Sequence, residues 1–168
     1  MSEENKFLMP NEPQKFTRKD FDNILLHMEN IGGSDVYLQS GDQVIIDVSG
    51  FKRKVTKKPI SIDSMEVITK SLQGDNAIGR LNSGEPIDDE LEIKLDINGE
   101  LRRFRFRLNF TGTKKHGKDS IQATIRSIPV TPPPLEKIGL SRDHYIYKNF
   151  FPMQGLVVVT GPTGSGKS

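Results

Sequence analysis

The 168-residue sequence predicts an α+β domain, then a linker, then the start of an α/β domain. Three observations predict this. Near the N-terminus a helical apolar period gives way to short alternating runs broken by Gly-containing turns, the order of a helix packed on an antiparallel meander. Further on, two longer runs alternate strictly on either side of Asn98-Gly99. Close to the C-terminus a β-branched stretch, Gly155-Leu156-Val157-Val158-Val159-Thr160, flows into Gly161-Pro162-Thr163-Gly164-Ser165-Gly166-Lys167-Ser168, as a buried parallel strand feeds a Gly-rich loop.

Taken in order, residues 1–16 carry Pro10 and Pro13 among polar neighbours and read as an extended arm. Thr17, with Asp20 three positions on, caps a helix whose apolar face is Phe21, Ile24, Leu25, Met28 and Ile31, and Gly32-Gly33 ends it. Strands follow at Asp35 to Gln39, Val44 to Val48 and Phe51 to Thr56, turned at Ser40-Gly41-Asp42 and Ser49-Gly50. After Pro59, Asp63 is the expected cap of a second helix with apolar face Met65, Val67, Ile68 and Leu72, stopped near Gly74, and a shorter helix spans Asn76 to Leu81.

Leu91, Ile93, Leu95 and Ile97 then alternate, as do Phe104, Phe106, Leu108 and Phe110 beyond the Asn98-Gly99 turn. A two-residue loop pairs Ile93 with Phe104 and Leu91 with Phe106 inside, leaving Glu92 opposite Arg105 and Glu90 opposite Arg107 outside. Leu101 falls out of phase, which a bulge near the turn would accommodate. Thr111 to Asp119 reads as a polar loop, and Ile121, Ala123 and Ile125 as a strand closed by Pro129. The α+β domain thus covers 17–128. Pro129-Val130-Thr131-Pro132-Pro133-Pro134 is a stiff extended linker, and 135–168 opens the second domain with short helical pieces, Ser141 a candidate cap, before the Val157 strand.

With 34% hydrophobic residues the chain can bury a real core. No apolar run approaches the ~20 residues of a membrane span, so a cytoplasmic protein is expected. There are no cysteines, and His27, His116 and His144 are scattered, so no transition-metal site is expected. The net charge of +2 hides a local polarity. Residues 85–96 carry six acids, whereas 101–118 carry four arginines and three lysines without an acid.

Residues 161–168 are a Walker A loop, G-x-x-x-x-G-K-S. Gly161, Gly164 and Gly166 let backbone N–H groups curl around a polyphosphate, with Pro162, Thr163 and Ser165 completing the loop. Lys167 would reach the β- and γ-phosphates and the Ser168 hydroxyl would ligate Mg²⁺, so ATP and Mg²⁺ are the implied cofactors. The helix that should follow such a loop, the Walker B acid and a catalytic glutamate are not in these 168 residues. The chain therefore reads as the N-terminal part of an ATPase, itself expected neither to hydrolyse ATP nor to hold nucleotide firmly.

Four segments together resemble the secretion ATPases of type II, type IV pilus and type IV secretion machines, a PilT-like family. Gly33-Ser34-Asp35-Val36-Tyr37-Leu38 is similar to its early A-S-D-h-H-h strand, h being apolar, with Tyr37 in place of the usual histidine. Phe106-Arg107-Leu108-Asn109 is similar to F-R-V-N, Thr124 to Pro129 to a strand ending R-x-I-P, and Gly155 to Ser168 to the family's phosphate-loop segment. Leu8 to Pro13 and Thr131 to Leu135 further resemble the DotB/TraJ branch of type IVB secretion and plasmid conjugation.

The resemblance implies a PAS-like N-terminal domain hinged to a RecA-like ATPase domain. It implies a cytoplasmic homo-hexamer, peripheral at the inner membrane through the secretion or conjugation complex it drives. It also implies that Arg107 and Arg126 reach the γ-phosphate as catalytic groups beside Lys167. The residues alone leave another reading of Arg107, a solvated ion pair with Glu90.

Two other functions fit the composition. One is a non-catalytic module that contacts neighbouring subunits and machine components. The other is nucleic-acid binding through Arg102, Arg103, Arg105, Arg107, Lys114, Lys115 and Lys118 beside Phe104, Phe106 and Phe110. Strand alternation disfavours it, because it turns the phenylalanines away from Arg105 and Arg107.

Overall fold

A computed structural model describes residues 6–97, 100–129, 153–158 and 160, without the side chains of 95–97. The chain divides into two compact units, Met1–Val130 and Thr131–Ser168. The first unit is a six-stranded antiparallel sheet with three helices. In chain order its elements are α1 (Arg18–Asn30), β1 (Gly33–Gln39), β2 (Ile45–Val48), β3 (Phe51–Lys54), α2 (Ile62–Gln73), α3 (Ala77–Asn82), β4 (Ile87–Ile97), β5 (Glu100–Lys115) and β6 (Lys118–Ile128). The sheet order is β3-β2-β1-β6-β5-β4.

α1 starts as its sequence dictates. The Thr17 side chain accepts from the Asp20 N–H, and the Asp20 carboxylate accepts from the Thr17 N–H at 2.9 Å, a complete capping box. Phe21, Ile24, Leu25 and Met28 are the buried stripe. α2 begins earlier than expected: its cap is Ser61, whose Oγ accepts from the Ser64 N–H at 3.1 Å, and Asp63 sits inside the first turn, where its charge suits the helix dipole. Both residues carry a capping oxygen. The earlier start places Ser64 to receive the Phe16 N–H at 3.1 Å in a buried contact. Val67 lies about 200° around the helix from Met65 and faces outward, so the buried stripe is Ser64, Met65, Ile68 and Thr69. Gly74 ends the helix at φ +84°, a conformation glycine adopts without steric cost.

The sheet buries one face. Val36 and Leu38 of β1, Ile46 of β2, Phe106, Leu108 and Phe110 of β5 and Ile121, Ala123 and Ile125 of β6 form one cluster with the helical stripes. α3 comes closest to the sheet, at Gly112, where a Cβ would run into the Leu81 backbone carbonyl. The arm is also tied down: the Met9 N–H donates to the Val55 carbonyl at 2.8 Å, and His27 Nε2 lies 2.8 Å from the Phe7 carbonyl oxygen.

The β4–β5 register is the one the two-residue loop predicts, with Ile93 opposite Phe104, Leu91 opposite Phe106, Glu92 opposite Arg105 and Glu90 opposite Arg107. It runs without a shift to Ile97–Glu100, so no bulge absorbs Leu101, which is simply exposed. β5 is much longer than expected. Thr111 to Lys115, read from polarity as loop, pair with Lys118 to Gln122, and the true turn is His116-Gly117, at φ +52° and +77°. Polar residues here continue the strand because one of its faces is not packed by helix.

In the second unit Leu156, Val157 and Val158, which read as a strand that buries only beside parallel neighbours, are exposed and form no strand. An extended apolar segment becomes a buried strand only with neighbours on both sides, and these residues pair with none among the described residues. The linker beyond Pro129, the helical pieces with Ser141, and the whole Gly161–Ser168 loop lie outside the described residues. No helix among the described residues is long and apolar enough to cross a membrane.

Candidate functional site

On the face away from the helices, the register aligns charged residues in a row across the sheet. Glu90 of β4 lies opposite Arg107 of β5, Arg107 opposite Arg126 of β6, Arg126 opposite Asp35 of β1, Asp35 opposite Asp47 of β2, and Asp47 opposite Lys52 of β3. Arg107 and Arg126 are thus neighbours on the face that none of the described helices covers. They come from segments 19 residues apart that the β5–β6 hairpin folds together.

Their surroundings differ. Arg126 donates from Nε to Asp35 Oδ1 at 2.7 Å, and the Asp35 side chain is only 11% exposed while that of Arg126 is 56% exposed. The hydrogen bond and charge of Asp35 hold the Arg126 proton more tightly than usual. Arg107 is 65% exposed and its nearest acid is Asp88, 3.7 Å from Nε, not the directly opposed Glu90 that the sequence suggested. Glu90 instead accepts from Arg105 at 3.0 Å, and Glu92 pairs with Arg103 at 3.3 Å. Each arginine reaches the acid two residues diagonal to its register partner, as the twist of an antiparallel pair favours. Exposed pairs of this kind are worth ~0–1 kcal/mol each.

Tyr37 stands on the same face as Asp35. Its hydroxyl pKa is raised, first by burial and then by the charges of Asp35 and Asp47. The Lys52 ammonium sits 4.8 Å from its ring centroid. Phe106 and Phe110 are fully buried on the helix face, so they are not beside Arg105 and Arg107. Lys167 and the rest of Gly161–Ser168 fall outside the described residues, so of the predicted site the structure places the two arginines.

The residue that sequence reasoning passed over is Asp35. It sits in the Gly33–Leu38 motif, but alternation with the core residues Val36 and Leu38 puts it on the opposite face, so the sequence gives no sign that it is nearly buried there. An acid there needs a partner, because burying an unpaired carboxylate is costly.

No protein-family model matches the chain. A curated relative, the type IV pilus retraction ATPase PilT of Pseudomonas aeruginosa, is 28% identical over 152 residues, 89% of this chain and 40% of that protein. Among solved structures, the ATPase DotB of Legionella pneumophila is 38% identical with a TM-score of 0.81, covering 95% of this chain and 42% of that one. The DotB ATPase of Yersinia pseudotuberculosis is 26% identical with a TM-score of 0.69, covering 78% and 35%. The chain thus spans less than half the length of these relatives. Over the part it shares with them, it is similar to the PilT-like secretion ATPases and lies near their DotB branch.

Proposed function

We propose that this chain is the N-terminal portion of a secretion ATPase motor, a PAS-like sheet domain followed by the first residues of a RecA-like domain, acting as a cytoplasmic hexamer on a type IV secretion, conjugation or pilus complex. The observation that carries it is the facing pair Arg107 and Arg126 on the sheet face that none of the described helices covers. Like charges directly opposite each other destabilise a sheet, and while Arg126 pairs with Asp35, Arg107 has only an exposed acid at 3.7 Å and adds little to the fold. Two planar, always-charged donor groups side by side suit a polyphosphate.

In this reading Gly161–Ser168 hold the phosphates by backbone N–H groups, Lys167 contacts the β- and γ-phosphates, and the Ser168 hydroxyl faces the cation. Mg²⁺-ATP, when bound, supplies the phosphoryl group transferred to water. Arg107 and Arg126 act by presenting fixed positive charge where negative charge grows in the transition state, which accelerates the reaction rather than merely tightening binding. Sequence similarity to DotB and PilT ATPases supports the motor assignment. The alternative of a passive contact module keeps the same fold but gives the arginines no chemistry. Nucleic-acid binding is disfavoured by the burial of Phe106 and Phe110 on the opposite face.

The test is ATP turnover by the full-length protein against a Lys167→Ala control. Turnover that the substitution abolishes supports the motor. Equal rates in the two, or none in either with its secretion complex present, return the chain to the contact-module reading.

A further inference from the structure

We propose that Asp35 is a positioning residue that sets the direction of the Arg126 guanidinium, so that its free edge faces the reacting phosphate. This rests on the reading of Arg126 as a phosphate-facing group. Three observations carry it.

The Asp35 carboxylate is engaged on both oxygens, by Arg126 Nε at 2.7 Å on Oδ1 and by the Ser34 hydroxyl at 2.8 Å on Oδ2. With both oxygens held from different directions, the carboxylate plane is set, and so is the guanidinium bonded to it. Because the bond uses Nε, the Nη1 and Nη2 edge of the planar fork remains for a second anion.

The backbone that presents Asp35 is itself constrained. The β1–β2 register shifts between Gly33 and Asp35, a bulge that takes up Ser34. Gly33 packs so closely that a Cβ would meet Ile46 Cγ2 at 2.5 Å and Met28 Cγ at 2.8 Å. Asp35 therefore stands on a strand pressed against the core, and bulges commonly re-aim a side chain in this way.

The third observation is the contrast with Arg107. It lies directly opposite Arg126 but has only exposed Asp88 at 3.7 Å. If Asp35 served only to neutralise charge on the sheet face, an exposed acid like those of β4 would do. A nearly buried, doubly bonded carboxylate fixes orientation as well.

A double-mutant cycle in the full-length ATPase tests this, with Asp35→Asn, Arg126→Ala and the pair. The expected result is a kcat loss of about tenfold or more for Asp35→Asn, with ADP affinity nearly kept and no further loss when Arg126 is already alanine, since a small misplacement of a catalytic group can cost up to ~100-fold. Unchanged kcat in Asp35→Asn beside a clear loss in Arg126→Ala overturns the positioning role and leaves the arginine reading standing. So does an Asp35→Asn loss of equal size in both backgrounds. Unchanged kcat in Arg126→Ala overturns the arginine reading and this inference with it.

Should Asp35→Asn fail to fold, Ser34→Ala in the same cycle frees only Oδ2 and should give a smaller loss that also vanishes without Arg126. A second readout uses this chain alone. The Arg126 Nε–H should exchange slowly with solvent in the wild type and fast in Ser34→Ala, and equal rates count against the proposal.

Discussion

Arg107 and Arg126 are direct cross-strand partners, yet only Arg126 is bound to a nearly buried carboxylate, Asp35, at 2.7 Å. The asymmetry separates two expectations. On the proposed motor reading, each Arg→Ala change in the full-length protein should lower turnover by ~100-fold or more with little loss of ADP affinity, the pattern of an arginine finger. In this chain, Arg107→Ala should change stability by only ~0–1 kcal/mol, the value of an exposed ion pair. Lysine should rescue neither, because a point charge on a flexible stem lacks the planar fork. Steady-state kinetics and urea unfolding check both, and near-normal turnover in a folded double alanine variant would remove the catalytic role.

Gly112→Ala should destabilise the first unit by ~1–3 kcal/mol, the usual cost of overpacking a site that cannot relax. The neighbour is the Leu81 backbone carbonyl, not the end of a flexible side chain. Alanine at Gly79, where an added Cβ meets nothing within 4 Å, is the matched control and should not destabilise. Equal midpoints in urea for the two variants would show that α3 does not rest on β5 as described.

Tyr37 predicts an alkaline dependence. An unfolded tyrosine titrates near 10, and the folded Tyr37 above that, so between the two values the native state keeps a proton that the unfolded chain has released. Its contribution to stability is therefore fully present below pH ~10 and falls as pH rises through the folded value. Wild type should lose stability relative to Tyr37→Phe across this range, and Tyr37 should ionise late in an ultraviolet titration. A parallel pH dependence in the two proteins would mean the hydroxyl neither is held in a buried setting nor feels Asp35 and Asp47.

The turn at His116-Gly117 needs two residues at positive φ. Gly117→Ala should cost about 1–2 kcal/mol, the penalty of placing a Cβ in the left-handed region. His116→Asn should be neutral or slightly stabilising, since asparagine enters that region more readily. Thermal unfolding of the two variants distinguishes them by sign.

Elements with local causes were legible in the sequence. The Thr17 capping box, the stripe Phe21, Ile24, Leu25 and Met28, and the Ile93–Phe104 register each follow from residues close in the chain. What tertiary packing decides was not. Ser61 and Asp63 both offer a capping oxygen, and the earlier start goes with the long-range contact of Ser64 with the Phe16 N–H. Thr111 to Lys115 lack the apolar alternation that marks a half-buried strand, yet they pair with β6 to the end. The outward face of Arg107 was legible from strand alternation, while its place directly opposite Arg126 needed the β5–β6 register. Asp35 as the partner of Arg126 was not legible, because no local pattern links positions 91 residues apart.

That separation has a consequence for how the molecule comes together. β1, β2 and β3 close as one meander through short turns, β4, β5 and β6 as another, and the two halves pair strand to strand where Asp35–Gln39 meets Gln122–Arg126. Hairpins form before contacts that must first close a long loop. The bond that aims Arg126 spans that seam, so it is among the last native contacts a nascent chain can make. A chain whose halves have folded but not yet joined would carry both arginines with Arg126 undirected. Pulsed hydrogen exchange during refolding should accordingly protect the β5–β6 amides ahead of those between β1 and β6, so that competence at the arginine pair arrives together with the finished sheet.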